Sequence, residues 1–138
     1  MSYGHVVLAD SHSNMLEGMR RIVETMAESV IMVADEPSLI HAIHKMEPDL
    51  VIVDFSFRVS GDTSVARLIK RHHPAIKMIV VSVYEDLAVV KEATDAGAEG
   101  FVLKRRAVVD LVPAIQQVFQ GQQFVSTDRL SNNEEDYA

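Results

Sequence analysis

Five short apolar runs alternate along the chain with five stretches whose apolar residues recur every three or four positions. The runs are His5 to Ala9, Val30 to Val33, Leu50 to Val53, Met78 to Val81 and Gly100 to Leu103. They are aliphatic, rich in β-branched residues and show little polar alternation, which predicts strands buried on both faces, as in a parallel sheet. Between them, Met15, Leu16, Met19, Ile22, Val23 and Met26 trace one face of a helix. Leu39, Ile40 and Ile43 do the same, as do Val65, Leu68 and Ile69, then Leu87, Val90 and Ala93. A last stripe takes Leu111, Val112, Ile115, Val118 and Phe119. Each stripe, methionines included, is read as core packing.

The punctuation agrees with this division. Pro37 suits the first turn of the second helix, and Gly97 and Gly121 stand where helix C-terminal caps belong. Pro113 lacks the N–H that a helix interior needs. If Asp110 is the N-cap, Pro113 falls in the first turn, where no partner is required. The last helix is therefore expected to begin near Asp110 or to kink at Pro113.

Strand–helix alternation five times over predicts an α/β, doubly wound, five-stranded parallel sheet with right-handed crossovers. The working site of such a sheet lies beyond the carboxyl ends of the strands, where the strand order reverses. Asp10 follows the first strand, Asp54 ends the third, Ser82 ends the fourth and Lys104 follows the fifth. A carboxylate pair can hold Mg²⁺, a hard cation that prefers oxygen. A lysine and a hydroxyl beside it can hold the oxygens of a phosphoryl group, and an aspartate there can act as nucleophile. Any one of these residues alone is more often a turn former, a cap or a surface lysine. Their joint placement at four strand ends carries the inference.

Composition narrows the class. The 138 residues suit one domain, and the absence of cysteine excludes disulfides and thiolate metal sites. No apolar run is long enough to span a bilayer, and the N-terminus lacks a signal-peptide pattern, so a cytoplasmic protein with no membrane partner is expected. The net charge of −7 argues against nucleic acid as a direct partner of this domain. Residues 1–125 are expected to form the folded domain, and the polar, acidic stretch 126–138 a disordered tail. His41 and His44 lie three apart on the second helix, but a solvated helix face explains them better than a metal site.

The order Asp10, Asp54, Ser82, Lys104 resembles the response-regulator receiver family of two-component systems, over residues 4 to 125. The resemblance implies a flavodoxin-like (βα)5 fold with strand order 2-1-3-4-5. It also implies that Asp54, in PDLVIVD, accepts a phosphoryl group from a histidine kinase or phosphotransfer protein with Mg²⁺ as cofactor. Such a domain is a self-modifying switch, not an enzyme acting on a separate substrate. Asp10, Asp54 and the backbone carbonyl of Ser56 match the metal pocket. Ser82 matches the switch hydroxyl, Lys104 the phosphate-binding lysine and Phe101 the aromatic switch. The stretches VVLADSHSNMLEGMRRIVE and AGAEGFVLK are most similar to receivers of nitrate-response helix-turn-helix regulators. A homodimer surface on the last helix, with Gln116 and Gln120, is implied by the same likeness.

Three positions depart from the pattern. Ser11 stands where a second acidic residue is usual, Phe55 to Gly61 replaces a loop that often holds Met-Pro, and Arg105 replaces a frequent proline. The first predicts weaker Mg²⁺ binding and supports an alternative, a receiver-like interaction module that works without phosphorylation. A cobalamin-binding reading of Asp10-Ser11-His12 fails because Met15 occupies the position that needs glycine.

Overall fold

The computed structural model describes residues 3–57 and 64–126. Its elements follow one another as β1 (His5–Ala9), α1 (Ser13–Val23), β2 (Ser29–Val33), α2 (Glu36–Met46), β3 (Leu50–Asp54) and α3 (Val65–His72). Then come β4 (Lys77–Ser82), α4 (Leu87–Asp95), β5 (Gly100–Leu103), a 3-10 turn (Lys104–Arg106), α5 (Ala107–Phe119) and β6 (Phe124–Val125). The strands pair in parallel in the order β2-β1-β3-β4-β5-β6. The five predicted strands thus take the expected order 2-1-3-4-5, with a short sixth strand added at the β5 edge.

Alternation along each strand divides the core in two. Val6, Leu8, Leu50, Ile52, Ile79 and Val81 meet the buried residues of α1 and α5, Leu16, Met19, Leu111 and Ile115 among them. Val7, Ala9, Val51, Val53, Met78 and Val80 meet Leu39, Ile43, Ile69 and Ala93 of α2, α3 and α4. Because helices cover both faces, the central strands are apolar through their middles, and polar residues such as Lys77, Asp54 and Ser82 fall at their ends. Truncating one of these fully buried side chains, such as Leu8, costs about 2–5 kcal/mol.

Local signals start and stop the helices. The Asp35 side chain accepts from the backbone N of Ser38 at 2.8 Å, with Pro37 in the first turn as expected. Gly97 takes φ +103° just past α4, a conformation that disfavours any side chain.

Three expectations are corrected. β2 is an edge strand, so Ile31 and Met32 are exposed instead of buried on both faces. Leu87 is exposed and does not join the α4 core stripe. α5 begins at Ala107, not near Asp110, with Arg106 as its N-cap, and it includes Pro113 on its way to Phe119. The carbonyl that Pro113 leaves without a helical partner belongs to Val109, which is exposed, and buried residues on both sides of Pro113 hold the helix in place. Asp110 is consequently not a cap but a buried member of the first turn, ion-paired to Arg106 at 2.9 Å. Ser126 is also buried; residues 127–138, where the tail is expected, lie outside the described residues.

Candidate functional site

The strand order reverses between β1 and its neighbours β2 and β3, which opens a crevice beyond the carboxyl end of β1. Asp10 leaves β1 at this crevice and Asp54 ends β3 beside it, in register with Val81 of β4. Lys104 arrives from the end of β5. Its Nζ lies 2.6 Å from Asp10 Oδ2 and 3.1 Å from Asp54 Oδ2. Asp10 is fully buried, Asp54 is 5% exposed and the lysine side chain 10%. The site thus holds two negative charges against one positive charge, largely shielded from water.

The other oxygen of each carboxylate is fixed by backbone. Asp10 Oδ1 accepts from the His12 N–H at 2.9 Å, and Asp54 Oδ1 accepts from the Ser56 N–H at 3.1 Å. These turns orient both side chains so that the two Oδ2 atoms converge on Lys104. Each Oδ2 is buried and ion-paired, yet neither makes an angularly aligned hydrogen bond with a described group. Carboxylate oxygens held by one shared ammonium and by no aligned hydrogen bond can exchange that partner for another cation or an electrophile.

Asp10, His12 and Asp54 each offer a ligand atom within 4.8 Å of the others, a constellation able to hold a divalent metal ion. His12 was expected to serve only in the rejected cobalamin motif. The signal for its place was its i+2 spacing from Asp10 on extended backbone, which directs two side chains to the same side. Ser11 is exposed.

The remaining expected residues lie at the rim or behind the site. Ser82 is buried at the end of β4, but its hydroxyl turns back on the following loop, donating to Tyr84 O at 3.0 Å and accepting from Tyr84 N at 2.8 Å. Phe101 is buried under the β5–β6 edge, where its carbonyl accepts from Ser126 N at 2.9 Å. Ser56 is exposed and presents backbone to the site. His41 and His44 lie on α2, away from this group. The loop beyond Phe57 lies outside the described residues as far as residue 63.

One network was missed by sequence reasoning. Ser126 Oγ donates to Asp110 Oδ2 at 2.7 Å and accepts from Leu103 N at 3.0 Å, next to Lys104. Only the pairing of β6 with β5 brings these distant residues together.

A family model, the response regulator receiver domain, matches residues 6–116. The transcriptional regulatory protein RcsB of Escherichia coli strain K12 is 30% identical, over 94% of this chain and 63% of that protein. The transcriptional regulatory protein DegU of Brevibacillus brevis is 28% identical, over 87% of this chain and 52% of that protein. The chain therefore spans between half and two-thirds of the length of these relatives. Among solved structures, the isolated receiver domain of RcsB from Salmonella enterica serovar Typhimurium, with the phosphomimetic BeF₃⁻, superposes with a TM-score of 0.78. It is 29% identical over 88% of this chain and 92% of that one.

The expectation that excluded nucleic acid is overturned at this point. A structure of the RcsB–DNA complex matches 93% of this chain and 65% of its own, with a TM-score of 0.81 and 28% identity, and another holds RcsB dimers bound to DNA. The acidic charge of a receiver does not decide the partners of the longer regulator that carries it. Among the described residues no helix is long and apolar enough to cross a membrane. The match over most of the chain, together with the strand order and the carboxylate–lysine cluster at the strand ends, places this chain in the response regulator receiver domain family.

Proposed function

We propose that Asp54 is the phosphoacceptor of this receiver, taking a phosphoryl group from a histidine kinase or phosphotransfer protein. The observation that carries the reading is the pairing of Asp54 Oδ2 with Lys104 at 3.1 Å, in a buried crevice where that oxygen has no aligned hydrogen bond. Asp54 Oδ1 is held by the Ser56 N–H, so Oδ2, held only by the Lys104 ion pair, is the oxygen that attacks phosphorus. The P–N bond of the donor phosphohistidine breaks, and the departing imidazole takes a proton. Asp10, Asp54 and the Ser56 carbonyl would hold Mg²⁺, which would supply positive charge to the phosphoryl oxygens during transfer. Lys104 supplies the second cation. Breaking its ion pair with Asp54 to engage the new phosphoryl group is the first movement of the switch.

Ser82 then leaves its turn with Tyr84 to donate to the phosphoryl group, and Phe101 repacks behind it. Val83 and Tyr84 on the loop after β4 and Leu87 at the start of α4 are exposed, and they form a surface whose shape this exchange alters. The domain modifies itself and turns over no separate substrate. Its boundaries are proposed at 1–125, and the cytoplasm as its compartment. The likeness to nitrate-response receivers is widened here. Relatives named RcsB and DegU support a role in transcriptional regulation, with DNA and a second copy as partners of a longer regulator.

Acetyl phosphate in Mg²⁺ tests the assignment. The chain should gain one acid-stable, base-labile phosphoryl group by intact mass, and Asp54→Asn should gain none. Full labelling of Asp54→Asn would assign the phosphoryl group elsewhere, and an unlabelled wild-type chain would favour the phosphorylation-independent module.

A further inference from the structure

We infer that His12 is a metal ligand of this receiver, completing with Asp10 and Asp54 a mixed nitrogen–oxygen site that favours Mn²⁺ and Co²⁺ over Mg²⁺ more strongly than oxygens alone would. The inference rests on the metal-assisted reading of the crevice and specifies which ion it suits.

The hydroxyl of Ser11 carries no charge and the residue is exposed, so the position that would supply a second carboxylate after β1 supplies none. The next residue does reach the cluster. His12 Nδ1 lies 3.1 Å from Asp10 Oδ1, and the three residues present ligand atoms within 4.8 Å of one another. Adjacent ligands of an octahedral ion with bonds of about 2.1 Å stand about 3 Å apart, which is the spacing the imidazole and the carboxylate already have. The buried Oδ2 atoms of Asp10 and Asp54 make no aligned hydrogen bond and are held together only through ion pairs with Lys104 Nζ at 2.6 and 3.1 Å, an observation independent of the histidine. The His12 side chain is 71% exposed, so a cation can enter from its side without opening the core.

Ligand chemistry sets the preference. Mg²⁺ demands oxygen and sheds water reluctantly, and a neutral imidazole compensates it poorly. Imidazole nitrogen suits later first-row ions, with affinity rising from Mn²⁺ to Co²⁺. Replacing a carboxylate by an imidazole therefore lowers Mg²⁺ affinity through lost charge and raises the relative affinity for these ions.

Pulsed electron paramagnetic resonance of Mn²⁺ bound to the full chain reads the ligand directly. Nitrogen-14 modulation is expected in the wild type and should vanish in His12→Ala and His12→Gln, with folding checked by circular dichroism. Calorimetric titration should show Co²⁺ binding about tenfold weaker in His12→Ala, with Mg²⁺ binding changed less than about threefold. Asp10→Asn should weaken both ions. Mn²⁺ bound without nitrogen modulation, modulation that survives both His12 variants, equal losses for Co²⁺ and Mg²⁺, or no Mn²⁺ binding at all would each overturn the inference. Acetyl phosphate labelling separates the two readings. A chain that labels on Asp54 but lacks the nitrogen signal loses only the histidine ligand, and one with the signal that never labels loses only the phosphoacceptor role.

Discussion

The two ends of the sheet each hold a largely buried lysine, and they use it in opposite ways. At the amino ends of β4 and β5, Lys70 Nζ donates to the carbonyls of Pro74 at 3.2 Å and Ile76 at 2.8 Å, and to Glu99 Oε2 at 2.8 Å. The other Glu99 oxygen accepts from Met78 N at 2.9 Å. Both partners are satisfied, and the pair ties the end of α3 to the start of two strands. At the carboxyl ends, Lys104 faces two carboxylates, and each keeps an Oδ2 with no aligned hydrogen bond. One cation between two anions leaves a net charge and spare lone pairs. A saturated pair stabilises the fold, whereas an unsaturated cluster remains available for chemistry.

Stability measurements can break or sharpen this contrast. The largest effect is expected at the saturated end. Lys70→Met leaves Glu99 largely buried without its cation and should lower unfolding free energy by about 2–3 kcal/mol in urea denaturation. Adding Glu99→Gln should recover most of that loss, because the amide can still accept from Met78 N. A silent Lys70→Met would remove the distinction between the ends.

The opposite sign is expected at the other end. Asp54→Asn removes one of two buried like charges and should raise stability by about 1 kcal/mol while abolishing phosphoryl labelling. A lower thermal midpoint for this variant would show that the crevice is as saturated as the Lys70 pair. Ser11→Asp adds a charge at an exposed position beside the crevice. Without metal it should cost about 0.5 kcal/mol, and it should tighten Mg²⁺ binding in titration. Unchanged or weaker Mg²⁺ binding would place residue 11 outside the metal's reach.

The smallest effect lies away from both ends and calibrates the others. The N–H of Ser38 holds the Asp35 carboxyl below its ordinary value of 3.8. A lowered folded-state pKa contributes stability that is present above the unfolded value and is lost as pH falls through the folded one. The Asp35 contribution should thus be lost as pH falls below its ordinary value of 3.8. Asp35→Asn, which can still cap, should flatten that part of the pH profile without lowering the midpoint at neutral pH.

What could be read from the chain alone was whatever depends on neighbouring residues. Leu50 to Val53 announce a buried strand, Pro37 and Gly97 mark helix ends, and Asp54 stands at a strand end by simple position. From the alternation of such elements the parallel sheet and the residues at its carboxyl edge follow, because connection handedness leaves few topologies. Tertiary structure alone decided the properties that depend on residues far apart in sequence. The edge position of β2 exposes Ile31 and Met32 although their run is as apolar as its neighbours. The β6 pairing buries Ser126 against Asp110, which lies inside an α5 that starts at Ala107 instead of capping its first turn. The 3.1 Å approach of Lys104 to Asp54 joins residues fifty positions apart, and the turn of Ser82 toward Tyr84 depends on loop geometry. Periodicity reports which side of an element faces inward; it carries no information on what that side meets, and the chemistry of this crevice lies in those meetings.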